Sequence, residues 1–293
     1  MNPPQSYTGR QLFKQGVFRL KQAGVEEDQA HFEARIFLSM SWDKEGAELA
    51  LALNDTVPEE AVKGFNGLIR RRYDGEPFQY LTGEAVFMEF PFKVRPDALI
   101  PRADTETLVR QALRLLPEEA PREVLELGIG SGAVLGMLAY HRPLLTGVGV
   151  DLSAQALSLA GENLRALGVA SRIELSHGSW FKPLASRRFH MIVANPPYIS
   201  RDEMKELPRS VLAEPAMALY GGPDGLNAYR EILRDAGNHL LPGGWIVMEI
   251  GWKQAPEVGG MLARCDFRDI EVVRDSGDRD RVILGRTGSE RER

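Results

Sequence analysis

The chain has 293 residues, 43% of them hydrophobic and 26% charged, a balance that predicts an ordinary folded protein of two domains or one large one at roughly 100–200 residues per domain. With 36 Lys and Arg against 41 Asp and Glu, the net charge is −5, which argues against a protein that lives on bulk nucleic-acid phosphate. No apolar run reaches the roughly 18 residues that a membrane-spanning helix needs.

The first residues, Met1-Asn2-Pro3-Pro4-Gln5-Ser6, have neither the basic nor the apolar segment of a secretory signal, so a cytoplasmic protein is expected. Apolar positions at spacings of three and four then predict helices over 11–22, 26–40, 44–53 and 58–72, with Phe32, Ile36, Phe37 and Met40 on one apolar face. Asp43 and Thr56 are expected N-caps, and Thr56-Val57-Pro58-Glu59 fits a capping box with proline in the first turn. Arg70-Arg71-Arg72 reads as a basic last helical turn that complements the macrodipole. Residues 1–75 are thus expected to form a small all-helical domain. Between Tyr80 and Leu99 the pattern alternates through Val86, Met88, Phe90, Phe92 and Val94, which predicts a β-hairpin linker within 76–100, kept at an edge by Pro91 and Pro96.

After Pro101, strand and helix signals alternate. Strands are expected at Val124–Leu127, Thr146–Asp151, Arg172–His177, His190–Ala194 and Trp245–Ile250, with helices near 104–116, 132–141, 153–167 and 225–240. Asp269–Arg274 and Arg281–Arg286, joined by Ser276-Gly277-Asp278-Arg279-Asp280, read as a closing antiparallel hairpin. This makes an α/β domain over 101–286, an open sheet of seven strands, followed by a disordered polar tail over 287–293. The single cysteine, Cys265, excludes an internal disulfide and a Cys-based zinc site, and is expected to be a small buried hydrophobe. The scattered His31, His141, His177, His190 and His239 have no pair at ligand spacing, and no metal is expected.

The first strand of the sheet runs into Gly128-Ile129-Gly130-Ser131-Gly132. Glycines at alternate positions let the backbone turn sharply and let a ligand reach main-chain N–H groups at a helix start. The glycines alone do not separate this loop from a dinucleotide fingerprint. Asp151 adds weight: it ends the second strand 19 residues beyond Gly132, where an acidic side chain accepts from ribose hydroxyls. Both features fall at the carboxyl edge of the sheet, so a nucleoside ligand is expected there.

The fourth strand runs into Asn195-Pro196-Pro197-Tyr198. Two prolines fix φ and remove two N–H donors, which is expected to gather the Asn195 amide, the Pro196 carbonyl and the Tyr198 ring around one small concavity. A planar NH2 group is a poor nucleophile because its lone pair is delocalised. Two acceptors that grip its hydrogens, beside an aromatic face, would orient it toward an electrophile, so catalysis would be mostly alignment.

With the Glu126–Gly132 loop, this tetrad resembles the class I S-adenosylmethionine-dependent amino-methyltransferases. The chain from about Arg71 to Arg286 more particularly resembles the release factor glutamine methyltransferase family. The resemblance runs through Glu76–Gly83, Leu99–Val109, Glu214–Leu219, Gly221–Leu226, Glu249–Gln254 and Asp275–Arg281. It implies a Rossmann-like class I methyltransferase sheet behind an N-terminal helical domain that helps dock the protein substrate. It also implies N5-methylation of the glutamine in the Gly-Gly-Gln motif of peptide chain release factors, with S-adenosylmethionine as cofactor. By position, Gly128, Ile129, Gly130, Ser131 and Gly132 would border the methionine part, Asp151 the ribose and Trp180 the adenine. Asn195, Pro196, Pro197 and Tyr198 would hold the substrate amide, with Asn195, Pro196 and Tyr198 catalytic and Asn195 also against the cofactor. Glu126 stands where many relatives carry Asp, and Ala103 where proline is common. No membrane or direct nucleic-acid partner is expected, and the chain is expected to act as a monomer. The alternatives are a ribosomal-protein glutamine methyltransferase, a DNA or RNA adenine N6-methyltransferase, since adenine also offers a planar NH2, and an NAD-binding protein, in which the tetrad would have no role.

Overall fold

The structure, a computed structural model, describes residues 6–288. It opens with helices α1 (Gly9–Gln22), α2 (Glu27–Trp42), α3 (Gly46–Ala52), α4 (Glu59–Tyr73) and α5 (Phe78–Thr82). A hairpin of β1 (Glu84–Phe87) and β2 (Phe90–Lys93) follows. Then come α6 (Glu106–Leu115), β3 (Arg122–Leu127), α7 (Ala133–His141), β4 (Leu145–Asp151), α8 (Ala154–Ala166), β5 (Ile173–His177) and β6 (Phe189–Ala194). Two short helices, α9 (Arg209–Leu212) and α10 (Ala216–Leu219), precede α11 (Asn227–Ala236), β7 (Leu240–Glu249), α12 (Ala255–Arg264), β8 (Arg268–Arg274) and β9 (Asp280–Arg286). The described residues divide into two compact units: one runs to Thr82 and includes Arg209–Ala213, and the other holds Gly83–Pro208 and the described residues from Glu214 onward.

The helical unit packs Leu12, Leu20, Ala30, Ala34, Phe37, Leu38, Phe65 and Ile69 into its own core. Its caps differ from those the sequence suggests. The capping box sits at α1, where Gln11 N–H donates to Thr8 Oγ1 at 3.3 Å and Thr8 N–H to Gln11 Oε1 at 2.9 Å. Asp43 closes α2 instead, in the left-handed region at φ 51°, and α4 starts at Pro58 with no side-chain cap. Thr56 is taken up by a backbone bridge to Thr8. The expected face of α2 is also rotated. Phe32 and Met40 are exposed, and Glu33 lies inside with Ala30, Ala34, Phe37 and Leu38.

The reason is electrostatic. Arg72 clamps the buried Glu33 through Nε at 2.8 Å and a second guanidinium nitrogen at 3.2 Å, while Arg71 pairs with Glu76. The basic turn of α4 therefore serves particular carboxylates as well as the helix dipole. Removing one partner of a buried pair strands the other charge. Arg72→Met is accordingly expected to destabilise the protein by about 3 kcal/mol, with Glu33→Leu/Arg72→Met recovering most of the loss, as read by equilibrium denaturation.

In the second unit the hairpin turns on Met88 and Glu89, both at positive φ (48° and 70°). A two-residue loop with both φ values positive is the tight turn that matches strand twist, although neither residue is the usual choice for it. The turn shifts the buried set to Ala85, Phe87, Phe92 and Val94, and leaves Val86 exposed. The main sheet has the order β5-β4-β3-β6-β7-β9-β8, parallel up to β7 and antiparallel at β9 and β8. Successive residues alternate between two cores. Val124, Met191, Val193, Val247, Val282 and Leu284 pack with α6, α7 and α8, while Leu125, Ile192, Ile246, Met248 and Ile283 pack with α11 and α12. The central strands β3, β4, β6 and β7 are apolar on both faces, which is why they read as hydrophobic runs, whereas the edge strand β8 is largely exposed.

Cys265 is exposed, contrary to expectation. It follows the last turn of α12, past the buried Leu262 that ends the helix's inward face. The expected tail begins at Thr287, which is tied down: its N–H donates to the Gly244 carbonyl at 2.9 Å and its hydroxyl to the Leu241 carbonyl at 3.0 Å. Residues 289–293 lie outside the described residues, as do residues 1–5. Among the described residues no helix is long and apolar enough to cross a membrane, and no cluster could hold a metal ion.

Candidate active site

The carboxyl ends of β4, β3 and β6 lie side by side. Pairing of Leu127 with both Val150 and Ala194 makes them level, so the loops that follow share one edge. In an open α/β sheet this is where ligands bind. A cavity of about 330 Å³ opens there, and it brings together Gly128, Ile129, Gly130, Ser131, Asp151, Trp180, Asn195, Pro196 and Pro197.

Gly128, Gly130 and Gly132 have φ of 71°, 54° and 79°, the left-handed region that side chains rarely tolerate. A methyl at Gly128 would meet nothing within 4 Å, so its open side faces space for a ligand. Gly132 is different, since it does not line the cavity. It starts α7, and a methyl there would fall 3.2 Å from Ala160, so it is needed for helix packing. Asp151 fastens the loop: Gly130 N–H donates to one carboxylate oxygen and Ser153 N–H to the other, each at 2.9 Å. Ser153 itself caps α8 through Ala156 N–H.

Further side chains complete the cavity. Glu126 is buried at its floor and accepts from Leu135 N–H at 2.9 Å, and burial pushes its carboxyl well above the usual range. Trp180, at φ 48°, donates from its indole to Glu231 at 2.6 Å, so an aromatic ring and a carboxylate share one wall. Glu214 is 4% exposed. It accepts from Ile100 N–H at 2.9 Å and pairs with Arg102, fastening the Ile100–Arg102 segment beside Pro215. Arg102 is thus tied to a buried carboxylate.

Asn195 reaches the cavity and donates from Nδ2 to Thr105 Oγ1 at 3.3 Å. Tyr198 is not on the cavity lining. Its ring packs against the α11–α12 core, and its hydroxyl donates to Glu249 at 3.3 Å. Burial, then the Glu249 charge, push the phenol up. Burial also pushes Glu249 up to about 7, against the opposing pull of Thr105, Arg281 and Tyr198. The backbone of the tetrad is held from outside. Gln254 donates to the Tyr198 carbonyl at 3.0 Å, and Gly221 and Gly225 press so closely that a methyl would lie 2.6 Å from the Pro197 oxygen or 2.3 Å from the Tyr198 oxygen.

A methyltransferase from Pyrococcus furiosus aligns with 76% of this chain and 98% of its own, at TM-score 0.52 and 16% identity, and the hMettl16 catalytic domain aligns with 79% and 82%, at TM-score 0.56 and 12% identity. The fold is that of these methyltransferases. Sequence families described as "PrmC N-terminal domain" and "Methyltransferase small domain" match residues 11–83 and 105–225. A release factor glutamine methyltransferase of Moorella thermoacetica is 39% identical over 279 residues, 94% of this chain and 98% of the relative, and one of Geobacter sulfurreducens is 38% identical over 286 residues, 97% and 99%. The chain belongs to the release factor glutamine methyltransferase family.

The cavity residues suit the family's cofactor. A glycine cradle open at Gly128, a carboxylate at Asp151 and an indole at Trp180 offer partners for an amino-acid part, a ribose and a base respectively.

Proposed function

We propose that this enzyme methylates the side-chain amide nitrogen (N5) of the glutamine in the Gly-Gly-Gln motif of peptide chain release factors, in the cytoplasm. The observation that carries the reading is the Asn195 carboxamide set in the same cavity as the glycine loop and Asp151. When bound, S-adenosylmethionine supplies a methyl group on a sulfonium whose leaving group is a neutral thioether. The chain's own task is alignment. Gly128, Ile129, Gly130, Ser131 and Gly132 form and support the cradle, Asp151 would hold the ribose, and Trp180 would offer its ring to the adenine. The Asn195 oxygen and the Pro196 carbonyl accept the two hydrogens of the glutamine NH2, and Pro197 shapes the wall that excludes water, with Tyr198 packed behind it. Holding reactants in a near-attack geometry is worth up to about 7–11 kcal/mol, so no strong base is required before attack. The helical unit is assigned to docking of the release factor.

Mass spectrometry of a release factor after incubation with enzyme and S-adenosylmethionine tests the reading. One methyl on the Gly-Gly-Gln glutamine is expected, and an unmodified glutamine with cofactor demonstrably bound would overturn it. Asp151→Ala removes the acceptor that fastens the loop as well as the ribose partner. By calorimetry its affinity for S-adenosylhomocysteine should fall about 10- to 100-fold, as for the loss of one or two hydrogen bonds to a charged group.

A further inference from the structure

At the end of the cavity given to the adenine stands a carboxylate that the transfer described above does not use. Trp180 reaches this end from the turn after β5, which is fastened beside Asp151. Gly178 N–H donates to the Asp151 carbonyl at 2.9 Å, and Lys182 N–H to the Ser179 carbonyl at 3.0 Å. Trp180 itself is held at φ 48°, a strained backbone for a bulky side chain, and strain of this kind persists at ligand clamps. It sets the indole on the cavity wall with Leu152, whose apolar side chain is left exposed there. Two open apolar groups near the carboxylate assigned to the ribose suit the face of a flat ring.

The carboxylate is Glu231 of α11, which lines the same wall. Its Oε2 accepts the Trp180 indole N–H at 2.6 Å. An indole nitrogen only donates, so this contact fixes the orientation of the carboxyl group as well as that of the ring. Glu231 is exposed, and the contact uses Oε2 alone, which leaves Oε1 to solvent or to whatever lies in the cavity beside the indole. An ionised carboxylate oxygen can only accept, so the group that suits it there is a hydrogen-bond donor on the edge of a ring.

We propose that Glu231 determines which base the cofactor site takes. Anchored to Trp180 through Oε2, it accepts at Oε1 from the exocyclic NH2 of a purine that packs on Trp180 and Leu152, and it disfavours a purine with a carbonyl in that place. The inference rests on the assignment of the base to Trp180. A site built to accept from an NH2 rejects the analogue that lacks it, because the acceptor is left without a hydrogen and faces a second acceptor. Glu231→Gln makes the orientation of this group decisive. The indole N–H still requires an acceptor, so the new amide directs its oxygen to Trp180 and its NH2 to the base. The preference between the two purines then inverts.

Calorimetry with S-adenosylhomocysteine and S-inosylhomocysteine, which carries a carbonyl in place of the NH2, tests the proposal. The wild-type protein should bind the adenosyl compound about tenfold or more tighter, the scale of one hydrogen bond to a charged group. Glu231→Gln should bind the inosyl compound the more tightly, and Glu231→Ala should bind the two within about threefold of each other. In Trp180→Phe/Glu231→Gln the amide is free to turn, and the inverted preference should be lost. A residue that merely braced the indole would weaken both ligands together, so a Glu231→Gln ratio equal to that of the wild type overturns the proposal. Should Glu231→Gln fail to fold, a Glu231→Ala protein that keeps the wild-type ratio overturns it equally. The change in indole fluorescence on S-adenosylhomocysteine binding, taken as the difference between wild type and Trp180→Phe, checks the assignment of the base. With no such difference the base lies elsewhere and both readings fall; with it, and an unmoved ligand ratio, only the role of Glu231 falls. No release factor enters these measurements, so they are independent of the methyl acceptor.

Discussion

Asn195→Ala is expected to lose about 10³-fold in kcat for release-factor methylation, the scale found when a preorganised polar group at a reacting centre is removed. S-adenosylhomocysteine should still bind. The side chain sits at the end of β6 with one N–H committed to Thr105 at 3.3 Å, and it lines the cavity that the glycine loop and Asp151 border. Alanine leaves the cradle intact and removes the acceptor, so the loss belongs to alignment of the substrate amide. Single-turnover kinetics with preloaded cofactor separates the two. A variant whose turnover persists while cofactor affinity collapses would move Asn195 to cofactor binding alone.

Gly225→Ala is expected to damage a different support. The residue has φ 77°, and a methyl there would fall 2.3 Å from the Tyr198 carbonyl oxygen, a backbone atom that cannot swing aside. Forcing a non-glycine residue into that region costs about 1–3 kcal/mol, and relief of the clash must move the tetrad. A displacement of about 1 Å at a reacting centre is enough for about a 10²-fold loss in kcat. The variant should therefore melt earlier and turn over more slowly. Gly237→Ala is the matched control, because its backbone is right-handed helical (φ −62°, ψ −28°) and a methyl there meets nothing within 4 Å. Thermal unfolding and kcat of the two proteins side by side provide the check. Equal behaviour would mean that the Gly221–Leu226 segment does not hold the tetrad.

The architecture was legible because its signals are local. Strands buried on both faces show as apolar runs, and the helices between them show the 3.6-residue period. The glycine loop, Asp151 and Asn195-Pro196-Pro197-Tyr198 could likewise be placed at one sheet edge from strand order alone. Where local signals were ambiguous, the reading slipped. Met88 and Glu89 carry no turn signature, so the alternating pattern predicts the hairpin but not where it turns or that Val86 is exposed. Asp43 and Thr56 have the chemistry of N-caps, but tertiary contacts put one at a helix end and the other in a bridge with Thr8. Apolar spacing on α2 pointed to Phe32 and Met40 and overlooked Glu33, because nothing in a linear pattern announces that Arg72, 39 residues away, will neutralise it.

The sequence by itself determined the class of fold, the family and the residues at the mouth of the cavity, since these rest on periodicity and contiguous motifs. The tertiary structure alone decided which polar groups stand behind them. Glu126, Glu214, Glu231, Glu249, Thr105 and Arg281 come from separate strands, helices and loops. A carboxylate acquires its character from what surrounds it: burial raises Glu249 to about 7, while Asp224, exposed beside Arg230, is lowered to about 2. Desolvation and charge pairing act through space between residues distant in the chain, so they are settled only when the chain has folded.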